Sequence, residues 1–400
     1  MTPAARLSAA IAVLDRVLAG TPAEQALTNW GRASRFAGSG DRAAVRDTVF
    51  EALRCRRSFA ALGGSETGRG LVLGGLRAAG VDPATLFTGE RHAPAFLTEA
   101  EAQDPAPLEE LVALDCPDWL APALKRSLGA DFAPVMRLLQ HRAPVFLRVN
   151  RARLTREEAR ARLAAEDIPT IPHGLAPDAL EVTGNARRIS GSSAYLEGLV
   201  ELQDVASQAV AEAVPLAAGD RVLDYCAGGG GKTLAMGARL PLQLFAHDAE
   251  PRRMRDLPER ADRAGLSVRL LETAALARAA PFDLVLADAP CSGSGSWRRD
   301  PEGKWRLTEA RLAEVCALQA RILDRCADLV SPRGRLAYAT CSLLEAENRG
   351  QITGFLERNP GWTVVREQRL TPLQGGDGFY LAVLAGSAGA PLNAGPGPFR

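Results

Sequence analysis

Two cysteines stand in contexts that could do covalent chemistry: Cys291 in Asp-Ala-Pro-Cys-Ser and Cys341 in Ala-Thr-Cys-Ser. Each follows an apolar run that reads as a strand, FDLVLAD and GRLAYAT. Both thiols therefore fall at the carboxyl ends of strands, the edge of an open α/β sheet where ligands bind. A thiolate is needed where an aromatic carbon is too feeble a nucleophile. Methylation of a pyrimidine at carbon 5 is such a case. Addition of sulfur at carbon 6 makes an enamine whose carbon 5 attacks an activated methyl group, and a base then removes the carbon-5 proton as the thiol leaves. Residue chemistry alone leaves open which thiol attacks. Cys55, Cys116, Cys316 and Cys326 lack such settings and read as core fillers.

Upstream, VLDYCAGGGGKT (Val222–Thr233) is a strand running into a glycine turn and a helix. The pattern misses the phosphate-binding Gly-x4-Gly-Lys-Thr loop, because Cys226 stands where its first glycine belongs. It also misses Gly-x-Gly-x-x-Gly, since Thr233 follows Gly228 and Gly230. The remaining reading is a nucleoside-cofactor loop of Cys226, Ala227, Gly228, Gly229, Gly230 and Gly231. Asp248 ends the next strand, LQLFAH, 20 residues beyond Gly228, where an acid binds ribose hydroxyls. A ribose acid without a phosphate grip points to S-adenosylmethionine. Lys232 is one of three lysines (with Lys125 and Lys304) among 48 cations. Its retention where arginine is the rule suggests a need for a compact ammonium.

The chain has 400 residues, enough for two or three domains. Hydrophobic residues make up 46% and charged ones 24%, which excludes global disorder. Residues 1–130 carry apolar positions at helical spacing (Leu7, Ile11, Leu14, Leu18; Val45, Val49, Leu53). Their Arg54, Arg56 and Arg57 form a basic cluster that could touch nucleic acid or simply end a helix. Residues 140–200 read as a small α+β segment. PVFLRVN is a strand, Thr155 caps a helix, ALEVTG is a second strand, and six arginines from Arg148 to Arg162 crowd it. From 201 to 386 strands and helices alternate, predicting a largely parallel sheet covered on both faces. The tail after Ser387 reads as frayed. Net charge is +1, and seven cysteines without a Cys-x-x-Cys pair suggest a reduced, cytoplasmic, metal-free protein. No stretch reads as a membrane span.

These motifs resemble the bacterial Sun/Fmu (RsmB-type) ribosomal RNA cytosine-C5 methyltransferases. The likeness runs through ELQDVASQAV, VLDYCAGGGGKT, Asp248 with Arg253, DAPCSGSG with RRDPEGKW, TCSLLEAEN and GGDGFY. The N-terminal RLSAAIAVLDRVLAG and DRAAVRDTVFEALRCRR resemble a NusB-type helical RNA-binding domain. The resemblance implies a Rossmann-like methyltransferase domain, S-adenosylmethionine as cofactor, ribosomal RNA as partner and a monomer. It makes Cys341 the nucleophile and Cys291 the group assisting product release. Asp288 would hold the cytosine edge near the cofactor, and Lys232 would sit beside it. Asp248 and Arg253 would serve the cofactor, and Glu272 most nearly matches an adenine-contacting acid. The chain departs at Gly228 and Gly229, where the family carries Ala and Pro, which would loosen the loop. Arg298, Arg299, Lys304 and Arg306, interleaved with Trp297 and Trp305, would form a lip for the RNA strand. Two rival readings are a non-catalytic RNA-binding assembly factor and a P-loop NTPase.

Overall fold

The computed structural model describes residues 1–387; the glycine- and proline-rich tail expected to fray lies outside them. The chain divides into two compact units, Met1–Arg142 with Trp297–Arg306, and 143–296 with the remainder from Leu307. The first unit is helical, with Pro3–Leu18, Ala23–Ala33, Ser39–Arg54, Arg56–Gly63 and Gly68–Ala78 as its main helices. Their inward positions (Ala10, Val13, Leu14, Val45, Val49, Leu53, Leu71) make one core, as the three-and-four spacing predicts.

The basic cluster Arg54, Arg56 and Arg57 finds partners within this unit. Arg54 is buried and donates through Nε to the Arg298 carbonyl at 2.7 Å. Arg56 pairs with Glu66, and Arg57 reaches Asp118 and the Cys116 carbonyl. Of the three, Arg54 is buried and Arg56 and Arg57 are half-buried. The lip expected beyond Cys291 is divided, with Arg299 and Arg306 exposed. Trp297, Arg298 and Lys304 are buried, and Arg306 pairs with Glu302. Lys304 Nζ donates to the Arg54 carbonyl at 3.0 Å and lies 4.4 Å from the Trp305 ring centre.

Burial pushes the Lys304 ammonium down to about 8. Its folded pKa lies below the ordinary lysine value near 10.4. Charging the buried amine therefore penalises the fold below pH 8, and the penalty fades as pH rises from about 8 to 10.4. The stability of a Lys304→Met variant relative to wild type should accordingly fall by up to roughly 3 kcal/mol between pH 7 and pH 10.5. Melting followed by circular dichroism reads this directly, and a pH-independent difference would contradict it.

The second unit holds two sheets. The smaller is antiparallel, in the order β2 (Thr170–Pro172), β3 (Ala179–Val182), β1 (Val145–Val149) and β4 (Val200–Leu202). The helix Arg156–Ala165 packs on it, started by a Thr155 cap whose hydroxyl accepts from the Glu158 amide. Its arginines mostly serve internal partners: Arg148 is buried, Arg151 pairs with Asp178 and Glu212, and Arg162 pairs with Glu197. Strands β2 and β4 have only three residues each, too short to show a period in the sequence.

The larger sheet has seven strands. Its parallel part comprises β5 (Arg221–Asp224), β6 (Gln243–Ala246), β7 (Val268–Leu270), β8 (Phe282–Asp288) and β9 (Val330–Thr340). β10 (Trp362–Leu370) and β11 (Phe379–Gly386) add an antiparallel edge, giving the order β10-β11-β9-β8-β5-β6-β7. Near-continuous apolar runs such as Phe282–Ala287 reflect burial on both faces. The strand order reverses between β5 and β8, so the crevice at their carboxyl ends is where such a sheet takes a ligand. Among the described residues, no helix is long and apolar enough to cross a membrane, and no group of three or more His, Cys, Asp or Glu could hold a metal ion.

Candidate active site

The turn after β5 is built by glycine geometry. Gly228 and Gly230 have φ of +51° and +78°, the left-handed region that glycine tolerates best. A Cβ on Gly230 would also lie 2.1 Å from the Leu257 side chain. The helix Gly231–Gly237 starts directly after it. The loop is tied on several sides. The Gly228 amide donates to Asp248 Oδ2 at 3.0 Å, Arg260 donates to the Gly229 carbonyl, and Arg148 Nη1 donates to the Gly231 carbonyl at 2.7 Å. The two extra glycines therefore adopt a held conformation rather than a loose one.

Asp248 follows β6, is 4% exposed, and accepts a second amide from Glu250 at 2.9 Å. Arg253 approaches it at 3.3 Å. Asp248, Arg253 and Cys226 line a cleft of about 450 Å³ with Tyr225, Pro290 and Ile322. Its mainly apolar wall and one buried carboxylate fit a nucleoside: a flat base can lie on the apolar side while the acid's remaining lone pairs accept from hydroxyls. Glu272 does not join them. It is exposed beyond β7 and does not line this cleft.

Beside the cleft, Lys232 Nζ meets Asp288 Oδ2 at 2.6 Å, and its side chain is 7% exposed. Burial works against the ammonium, but the charge of Asp288 and its hydrogen bond outweigh burial, with Cys341 adding to them, so its pKa stands above the ordinary value. Nζ also sits 4.7 Å from the Phe379 ring centre, a cation–π contact supplied by the antiparallel edge. Asp224, at the end of β5, accepts the Thr233 hydroxyl at 2.7 Å. Burial pushes its carboxyl up to about 7, with the Thr233 hydrogen bond only partly opposing this.

The two thiols meet. Cys291 Sγ and Cys341 Sγ are 3.3 Å apart, on the loops that leave β8 and β9. The Cys291 thiol is pushed well up, first by its hydrogen bond to Cys341 and then by burial. Cys55, Cys116 and Cys326 are buried fillers, whereas Cys316 is half-buried. Reasoning from sequence brought Lys232, Asp248, Asp288, Cys291 and Cys341 to one sheet edge and missed Asp224, Arg148, Gln319 and Glu347. Asp224 was detectable as the acid closing the strand before the glycine loop. Arg148 and Gln319 carry no motif signal, because their partners lie far away in sequence, whereas Glu347 stands inside TCSLLEAEN, five residues from its partner Ser342.

A mainly parallel seven-stranded sheet with a glycine loop and buried acid at its switch point defines a Rossmann-like α/β protein of the methyltransferase type. Residues 211–385 match the family described as 16S rRNA methyltransferase RsmB/F, and residues 116–188 match the ferredoxin-like domain described for that group. Ribosomal RNA small subunit methyltransferase B of Vibrio cholerae is 36% identical over 284 residues, covering 67% of this chain and 65% of that protein. The same-named protein of Sodalis glossinidius is 33% identical over 310 residues, covering 73% and 69%. The chain belongs to the RsmB/F family of rRNA methyltransferases, as the motifs of the sequence suggested. Its matched part spans about two thirds of the length of these curated relatives. Among solved structures, PH0851 superposes with a TM-score of 0.78 at 24% identity, covering 96% of this chain and 99% of that one. A methyltransferase homologue protein from Pyrococcus horikoshii gives 0.61 at 23% identity, over 69% and 97%. These two likenesses speak for the fold.

Proposed function

We propose that this chain methylates carbon 5 of a cytosine in small-subunit ribosomal RNA, using S-adenosylmethionine and a transient bond from Cys341 to carbon 6. The observation that carries the reading is the pair of sulfurs 3.3 Å apart, at the ends of adjacent strands and next to the Lys232–Asp288 pair. Family membership supports the same reading. When bound, the cofactor supplies an electrophilic methyl group.

The chain's own groups account for the remaining steps. Cys341 Sγ adds to carbon 6 and pushes electron density onto carbon 5. Asp288, oriented by Lys232, holds the polar edge of the base. After the methyl group is accepted, loss of the carbon-5 proton to a base expels Cys341 as a thiolate and restores the aromatic ring. Cys291 is the sulfur whose ionisation is opposed, so it is suited to hold a proton beside the departing thiolate. The target cytosine must leave its stack to reach these groups. In this reading residues 1–130 form a NusB-like RNA-docking domain, 140–200 guide the strand, 201–386 carry the chemistry, and the protein works as a cytoplasmic monomer. In this reading RNA contacts fall to exposed positions such as Arg299 and Arg306, since Arg54, Arg298 and Lys304 are buried.

Bisulfite mapping of ribosomal RNA with and without the protein tests the reading, and one cytosine should change state. RNA binding without methyl transfer would favour an assembly factor instead. Asp248→Ala should weaken S-adenosylmethionine binding by roughly 10- to 100-fold, the scale of a hydrogen bond to a charged group. Isothermal titration with S-adenosylmethionine and with ATP checks this, and preference for ATP would sink the assignment.

A further inference from the structure

Beneath the two thiols lies a buried carboxylate that the chemistry above does not use. Glu347 has no exposed surface and sits in the short 3-10 turn Glu345–Glu347 after Cys341. Its Oε1 accepts from the Ser292 amide at 2.7 Å and from Gln319 Nε2 at 3.1 Å. Its Oε2 accepts from Ser292 Oγ at 2.5 Å and from Ser342 Oγ. Ser292 and Ser342 directly follow Cys291 and Cys341 in the chain. One carboxyl group thus receives hydrogen bonds from both cysteine loops.

The arrangement is closed on all sides. Gln319 also donates to the Pro290 carbonyl at 2.9 Å, one residue before Cys291. Ser294 Oγ lies 3.1 Å from Ser342 Oγ and accepts the Leu343 amide at 2.8 Å. Tyr338 holds the Glu347 carbonyl at 2.7 Å, so the backbone of the turn cannot drift. Burying a carboxyl group is costly unless it is fully hydrogen-bonded, and four donors meet that need. An apolar side chain could fill the space without that cost. What only an acceptor pair achieves is to pull two loops, 50 residues apart in sequence, onto one centre.

We infer that Glu347 is a positioning residue that holds the Cys291 and Cys341 loops in register, so that one sulfur can attack and the other stand beside it. The effect on turnover rests on the methyltransferase reading; the effect on the thiols does not. Glu347→Gln keeps the shape, but it removes the charge and meets the Ser292 and Ser342 hydroxyls only as a donor, so the charge-assisted ties of both loops are weakened. In the full-length protein, bridging of Cys291 to Cys341 by the short bifunctional reagent dibromobimane should fall at least fivefold, as mapped by peptide mass spectrometry. The pH profile of Cys291 alkylation by iodoacetamide should move to lower pH, because a neighbouring negative charge is gone. Turnover should fall roughly 30-fold, with S-adenosylmethionine affinity within twofold. Unchanged bridging together with an unmoved alkylation profile overturns the inference, whatever happens to turnover. If Glu347→Gln fails to fold, Ser292→Ala and Ser342→Ala each remove one tie. Loss of bridging in either supports the assignment, and full bridging in both overturns it. An inactive wild-type protein with intact bridging would count against the methyltransferase reading alone.

Discussion

Cys341→Ala is expected to abolish both methyl transfer and any covalent enzyme–RNA complex, whereas Cys291→Ala is expected to let that complex accumulate. The asymmetry follows from the two roles. Without the sulfur that adds to carbon 6 there is no enamine, and turnover should drop on the order of 10⁴-fold or more, the scale of losing a covalent nucleophile. Without Cys291 the addition still proceeds, but the step that expels Cys341 loses the neighbour 3.3 Å away. Denaturing gels of enzyme with labelled RNA read both outcomes. A retarded band with Cys341→Ala and none with Cys291→Ala would exchange the roles.

Lys232→Met should be the second most damaging change, and for an electrostatic reason. It strips the ammonium from Asp288 and leaves that carboxylate near the buried Asp224. Breaking a buried pair costs about 3–5 kcal/mol. Asp288 keeps 31% exposure, so solvent screening trims the loss to roughly 2 kcal/mol. Turnover should fall roughly 10²- to 10³-fold, as when a positioned donor is removed from a reacting centre. Lys232→Met combined with Asp288→Asn should recover most of the stability and none of the activity. Denaturant midpoints and single-turnover assays separate the two effects. If stability fails to recover in the double variant, the destabilisation comes from packing against Phe379 rather than from the orphaned carboxylate.

Much of the site was legible because its signals are local. A strand, a glycine turn and an acid at the end of the next strand follow one another along the chain, and strand ends in a parallel sheet converge on one edge. That reasoning reached Lys232, Asp248, Asp288, Cys291 and Cys341 without coordinates. It left the surroundings of the arginine clusters open, since a charged side chain has the same spacing whether it faces water or a carbonyl. Arg54, Arg148, Arg298 and Lys304 read as surface cations and proved to be buried. Glu272 holds the strand-end position of the expected acid, and the strand β7 at the sheet's edge leaves it in solvent.

The amino-acid order by itself determined the main element types, the α/β alternation and the placement of both thiols and the acids at strand ends, because periodicity and turn chemistry act over a few residues. Only the tertiary structure decided which cations have internal partners, that two antiparallel strands close the sheet beside β9, and that Glu347 gathers both thiol loops. Those outcomes depend on burial and on hydrogen bonds between segments dozens to hundreds of residues apart. No local pattern encodes such pairings, since the cost of burying a polar group is set by whatever distant segment arrives to satisfy it.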